Sequence, residues 1–148
     1  MTTHPIMLVE DNPDDRDLTL LAFQQAGVAG GINVCGDGEE ALDFLLAAGR
    51  FSERDPSVMP RIILLDLQLP KIDGLEVLRR IRANDATRLL PVVILTSSRE
   101  ERDLARGYGL GANSYIRKPV NFNAFVDASR TIAGYWLTLN EAPPAYAA

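Results

Sequence analysis

Several classes of chemistry are short of residues in this chain. Among 148 residues there is one cysteine, Cys35, so no disulfide closes within the chain. A reducing compartment, the cytoplasm, is the simple expectation. No apolar run approaches the length of a membrane span. The first residues lack the cationic start and long apolar core of a signal peptide. Positive charge is in deficit: the net charge is -5, which argues against non-specific binding to nucleic acid or acidic membranes. No internal repeat is visible. The remainder is ordinary, with 47% hydrophobic and 24% charged residues, enough for one domain with a sizeable core.

What is present alternates in period. "IMLV" (6–9), "INVC" (32–35), "IILL" (62–65), "PVVILT" (91–96) and "NSYI" (113–116) are short apolar runs of the kind buried on both faces of a sheet. Helical stretches separate them. Asn12-Pro13 is a helix start, and this first helix is expected to turn Leu18, Leu21, Ala22 and Ala26 inward. Asp37 with Glu40, and Ser98 with Glu101, have the spacing of capping boxes. The second helix is expected to bury Ala41, Leu42, Leu45 and Leu46, and the third Val77, Leu78 and Ile81. The fourth is charged and has few apolar anchors. The last carries Phe122, Phe125, Val126, Ser129, Ile132, Ala133 and Trp136 in register. A polar connection with two prolines, 49–60, reads as a surface loop, and 140–148 as a loose tail after a domain of residues 1–139. Strands and helices in alternation predict an α/β fold with a parallel sheet covered on both faces.

In such sheets ligands gather beyond the carboxyl ends of the strands. There stand Glu10 and Asp11 after the first strand and Asp66 after the third. Thr96 and Ser97 close the fourth, and Lys118-Pro119 follows the fifth. Singly, each has a plain reading: a solvated acid near a helix start, a turn aspartate, a surface lysine. Their coincidence at four strand ends favours a site. Three adjacent carboxylates repel one another, and a hard divalent cation such as Mg²⁺ relieves the conflict. Lys118 supplies a point charge for an anion, Thr96 a hydroxyl donor. Such a set suits a phosphoryl group, and a carboxylate within it can serve as nucleophile.

"LVEDNPDD", "ILLDLQLPKIDG", "VVILTSS" and "YIRKP" together resemble the receiver domains of two-component response regulators, the fold of the chemotaxis regulator. The resemblance runs from about Ile6 to about Leu139. It implies a doubly wound, five-stranded sheet in the order 2-1-3-4-5. It implies Asp66 as acceptor of a phosphoryl group from a sensor histidine kinase, with loss of the group by autodephosphorylation; small phosphodonors also serve. It implies Asp11, Asp66 and the Gln68 backbone carbonyl as direct Mg²⁺ ligands, Glu10 holding a metal-bound water, and Thr96 and Lys118 on phosphoryl oxygens. Glu10 departs from the commoner aspartate. The resemblance further implies a cis Lys118-Pro119 peptide and a switch made by Thr96 and Tyr115.

Little chain follows Leu139, so signalling by protein–protein contact is expected, with relay or phosphate-sink roles as the alternative. The loop before the third strand, "TSS" and "YWL" resemble a narrower group, single-domain regulators of phytochrome kinases. Some of those dimerise through the last strand and last helix. Trp136 either serves such a homodimer or packs on the chain's own first helix. Rival readings fare worse. A flavodoxin-like carrier needs a Ser/Thr/Gly-rich phosphate loop where "EDNPDD" stands. A haloacid-dehalogenase-like phosphatase needs an acid at Gln68. A pseudo-receiver would not keep the full acid, hydroxyl and lysine set. A histidine phosphotransfer protein needs a helical histidine, and His4 precedes Pro5.

Overall fold

A computed structural model of the chain describes residues 5–28 and 30–144. Five parallel strands form one sheet: β1 (Ile6–Val9), β2 (Ile32–Cys35), β3 (Ile62–Leu65), β4 (Val92–Thr96) and β5 (Ser114–Arg117), in the order β2-β1-β3-β4-β5. The helices are α1 (Pro13–Gln25), α2 (Gly38–Leu46), α3 (Gly74–Ala83), α4 (Glu101–Gly109) and α5 (Phe122–Ala133). A π-helical turn, Gly134–Leu139, extends α5. The doubly wound architecture and the strand order are those expected.

Each strand feeds two cores because successive side chains point to opposite faces. Met7, Val9, Ile63, Leu65, Val92 and Ile94 pack with α2 and α3. Ile6, Leu8, Ile62, Leu64, Val93 and Leu95 pack with α1 and α5. All four residues of β1 and of β3 are buried. Each such side chain contributes roughly 1.5–3 kcal/mol relative to exposure. The two central strands are therefore the stiffest parts of the sheet. Cys35 is buried in the first core, and desolvation pushes its thiol up to about 12, so it stays an inert thiol.

Several local expectations need correction. In α1 the buried residues are Thr19, Ala22 and Phe23, whereas Leu18 and Leu21 are 47% and 42% exposed. Phe23, the largest side chain on the helix, takes the core and turns the leucines outward. Leu46 is likewise exposed, because α2 ends there with Ala47 in the left-handed conformation. Ser98 and Glu101 form no capping box: α4 begins at Glu101 behind Glu100, which makes no side-chain cap bond. Ser98 is engaged elsewhere. Asn12 and Asp37 do cap, accepting from the N–H groups of Asp15 and Glu40. Among the described residues every peptide is trans, Lys118-Pro119 included. The connection after α2 contains a short 3₁₀ turn, Gly49–Phe51, whose Phe51 ring meets Phe44 edge-on. Trp136 is half-buried against the chain's own second core, the plainer of the two readings for that residue. His4 and residues 145–148 of the tail lie outside the described residues.

One glycine fixes the site's foundation. At Gly74, the first residue of α3, a Cβ would stand 2.2 Å from the Asp66 carbonyl oxygen and 2.6 Å from Leu67 Cα. Helix α3 thus rests directly on the backbone that carries Asp66, and its N–H donates to the Leu67 carbonyl at 2.9 Å. No flexible side chain can yield there. Gly74→Ala is expected to cost about 1–3 kcal/mol through overpacking, read as a lower urea midpoint. An unchanged midpoint would contradict this packing.

Candidate functional site

The ends of β1, β3, β4 and β5 share one edge because the strands are parallel. Asp66 follows β3 and Glu10 follows β1; they are 6% and 2% exposed. Lys118, just past β5, has a side chain 9% exposed. Its ammonium lies 2.5 Å from Glu10 Oε1 and 3.0 Å from Asp66 Oδ2. Asp15 Oδ2, from the first turn of α1, is 3.7 Å away. The Thr96 hydroxyl donates to Asp66 Oδ1 at 3.0 Å, and the Gln68 N–H donates to the same oxygen at 3.2 Å. The Asn12 N–H reaches Glu10 Oε2 at 3.3 Å.

One ammonium faces two buried carboxyls, so the charges do not balance. Burial pushes Glu10 up to about 7; the Lys118 hydrogen bond opposes this, and the Asp66 charge adds to it. Asp66 is also pushed up by burial, but the Lys118 charge and hydrogen bonds from Glu10, Lys118 and Gln68 outweigh that. It ends below the usual carboxylate range. Burial lowers Lys118, yet its bonds to the two acids hold it above the ordinary lysine value. Just below neutral pH, without metal, Glu10 is the acid that keeps a proton, while Asp66 is ionised. The neighbours have driven two similar acids apart, and the ionised one is the carboxylate beside both a hydroxyl and an ammonium.

The structure brings together Glu10, Asp66, Thr96 and Lys118 as the sequence led us to expect. Asp11 is exposed and stands outside the carboxyl cluster. Gln68 contacts Asp66 through its N–H. Tyr115 is half-buried, and its hydroxyl donates to the Ser98 carbonyl at 3.4 Å. Asp15 is the residue that sequence reasoning missed. Glu10, Asp15 and Asp66 each offer an oxygen within 4.8 Å of the others. The spacing of "EDNPDD" could have revealed it. Asp15 is the third helical residue after the Asn12 cap, on a turn that curls back over the end of β1. An all-oxygen cluster of three acids fits a hard divalent cation, which would also supply the positive charge that Lys118 alone cannot.

The family model for the response regulator receiver domain matches residues 6–130, and the chain belongs to that family. It is a phosphorylation-controlled receiver of two-component signalling, with a histidine kinase as its partner. The probable methanogenesis regulatory protein FilR2 of Methanothrix harundinacea is 42% identical over 138 residues, 93% of this chain and 86% of that protein. The bacteriophytochrome response regulator AtBRR is 49% identical, with a TM-score of 0.75 over 95% of this chain and 100% of its own. The phosphorylated cyanobacterial phytochrome response regulator RcpA gives 0.85 at 35% identity, covering 95% and 99%. The Mn²⁺-bound form of response regulator Rcp1 gives 0.82 at 34% identity, covering 93% and 97%. Among the described residues no helix is long and apolar enough to cross a membrane.

The raised Glu10 has a consequence for stability. Its folded value, about 7, exceeds the ordinary 4.5, so the native state holds a proton that the unfolded chain has lost. Stability is therefore present at the acid end and falls as pH rises from 4.5 to about 7. The other shifted carboxylates, Asp37, Asp55, Asp66 and Glu76, are all lowered, so their stabilisation is present across this window and is lost only at lower pH. In chelator, denaturant midpoints should drop across the window by an amount worth roughly 3 kcal/mol at most. Glu10→Gln should flatten the profile. A wild-type profile already flat would contradict the assignment.

Proposed function

We propose that Asp66 accepts a phosphoryl group from a kinase phosphohistidine and that the phosphorylated chain signals by binding another protein. The observation that carries this reading is the ionised, nearly buried Asp66 with Thr96 Oγ1 and Lys118 Nζ each 3.0 Å from its oxygens. An Asp66 carboxylate oxygen forms the new P–O bond as the N–P bond breaks. The imidazole nitrogen leaves with the electron pair. Lys118 and Thr96 turn from the carboxylate to the phosphoryl oxygens and neutralise their charge.

The cation that suits the site is Mg²⁺; Asp66, Asp11 and the Gln68 carbonyl would hold it, Glu10 would act through water, and Asp15 lies close enough to the cluster to assist. When bound it offsets the charge of three acids and the incoming phosphoryl group. The Mn²⁺-bound form of the related Rcp1 supports a divalent ion here. Thr96 and Tyr115 form the switch. The receiver unit is residues 1–139, working in the cytoplasm. The kinase is a bacterial phytochrome, a reading supported by the phytochrome response regulators among the related structures.

The last strand and last helix form a homodimer face. Tyr135 and Leu139, 49% and 74% exposed, support this because both are large hydrophobic side chains left open to solvent on the turn that extends α5, with the Tyr135 ring edge-on to the half-buried Trp136. Sedimentation at micromolar concentration should show a dimer, weakened by Tyr135→Ala or Leu139→Ala without loss of stability. Trp136→Ala should also lower the unfolding midpoint, because that ring packs on its own core. A clean monomer with and without beryllofluoride, a phosphoryl mimic, would exclude the dimer.

Asp66→Asn keeps the shape and removes the nucleophile. After incubation with acetyl phosphate and Mg²⁺, intact mass should show one phosphoryl adduct on the wild type and none on the variant. An equal adduct on both would place the acceptor elsewhere.

A further inference from the structure

Ser98 lies two residues beyond Thr96, in the loop between β4 and α4, and is 8% exposed. It is bonded to three parts of the molecule. Its N–H donates to Thr96 Oγ1 at 3.3 Å. Its carbonyl accepts from the Tyr115 hydroxyl at 3.4 Å. Its own hydroxyl donates to Asp103 Oδ2 at 2.6 Å and accepts from the Glu100 N–H at 3.3 Å. Asp103 belongs to the first turn of α4.

That helix is weakly held. The other four α-helices start with a side chain that accepts from a backbone N–H: Asn12, Asp37, Asp73 and Asn121. The residue before α4, Glu100, makes no such bond. Along α4 only Gly107 is buried, in its second half, where a Cβ would stand 2.7 Å from Ile94 Cδ1. The first turn therefore depends on Ser98.

We infer that Ser98 is the positioning residue that couples Thr96 and Tyr115 to α4, with its bond to Asp103 acting as the clasp that an N-cap would otherwise provide. The lengths set the order in which the bonds yield. A 2.6 Å bond to a carboxylate is short and charge-assisted, whereas those at 3.3 and 3.4 Å are long and weak. When Thr96 turns to a phosphoryl oxygen, the long bonds break first and the clasp survives. Ser98, Glu100 and the start of α4 then move as one body, released from the sheet.

The coupling half of this inference rests on Asp66 as phosphoryl acceptor; the clasp does not. Amide exchange across 101–109, read by mass spectrometry on the full chain, separates the two. In the resting protein Ser98→Ala and Asp103→Ala should each speed exchange in the first turn of α4 by roughly tenfold or more. The double variant should add nothing further, and Ser98→Thr, which keeps the hydroxyl, should restore slow exchange. Beryllofluoride with Mg²⁺ should speed exchange there in the wild type. In the two alanine variants it should still bind by calorimetry yet produce no further change, an outcome that a purely structural role would not give. Resting exchange at the wild-type rate in Ser98→Ala overturns the clasp. A full beryllofluoride response in that variant overturns the coupling, as does binding to the wild type without any change in α4. Failure of the wild type to bind beryllofluoride counts against the acceptor reading instead, and the clasp is then judged on the resting rates.

Discussion

Everything at the carboxyl edge of this sheet depends on one ammonium group. Lys118 is almost fully withdrawn from water and touches the two buried acids, Glu10 and Asp66. A buried charge without a partner is costly, and removing one member of such a set typically destabilises by about 3–5 kcal/mol. One cation for two acids leaves the site short of positive charge. The shortfall explains why Glu10 is raised in the metal-free state and why the acidic cluster fits a divalent cation. It also leaves Asp66 ionised. A fully balanced site would be a structural ion pair; this imbalance makes the site a receptor for charge.

The sheet makes the imbalance tolerable. β1 and β3 are buried on both faces and deliver Glu10 and Asp66 on rigid backbone. Gly74 lets α3 press on the Asp66 carbonyl, so the acid cannot drift toward solvent. On the other flank the design is looser. β5 is an edge strand only half covered, and α4 has a single buried residue. Rigid acids beside a weakly held helix form a gradient of local stability, and elements with few apolar contacts are the ones that open at low cost. The carboxyl cluster therefore sits on the stiff side, and the weakly held helix lies beside the edge strand.

Much of this was legible in the sequence because parallel strands have a strong signal. Five short apolar runs gave the sheet, and the residues after them gave Glu10, Asp66, Thr96 and Lys118. What the sequence hid was rotational and angular. On α1 a stripe of leucines suggested the inward face, but the bulk of Phe23 decided the rotation and left Leu18 and Leu21 outside. Asp11 and Asp15 are both acids at a helix start, and sequence distance favoured the nearer one. The curl of the first turn brings Asp15 within reach of Glu10 and Asp66 as well. Ser98 looked like a helix cap by spacing alone. Its hydroxyl goes to Asp103, five residues on, a pairing that depends on where α4 begins.

The direct test of the charge imbalance is a carbon-13 titration of the Glu10 and Asp66 carboxyl groups in metal-free protein. The account predicts that Asp66 stays ionised to below the ordinary aspartate value of 3.8 while Glu10 titrates near 7. Added Mg²⁺ should then strip the proton from Glu10 at neutral pH. Two carboxyls titrating together near 4, unmoved by Mg²⁺, would contradict it.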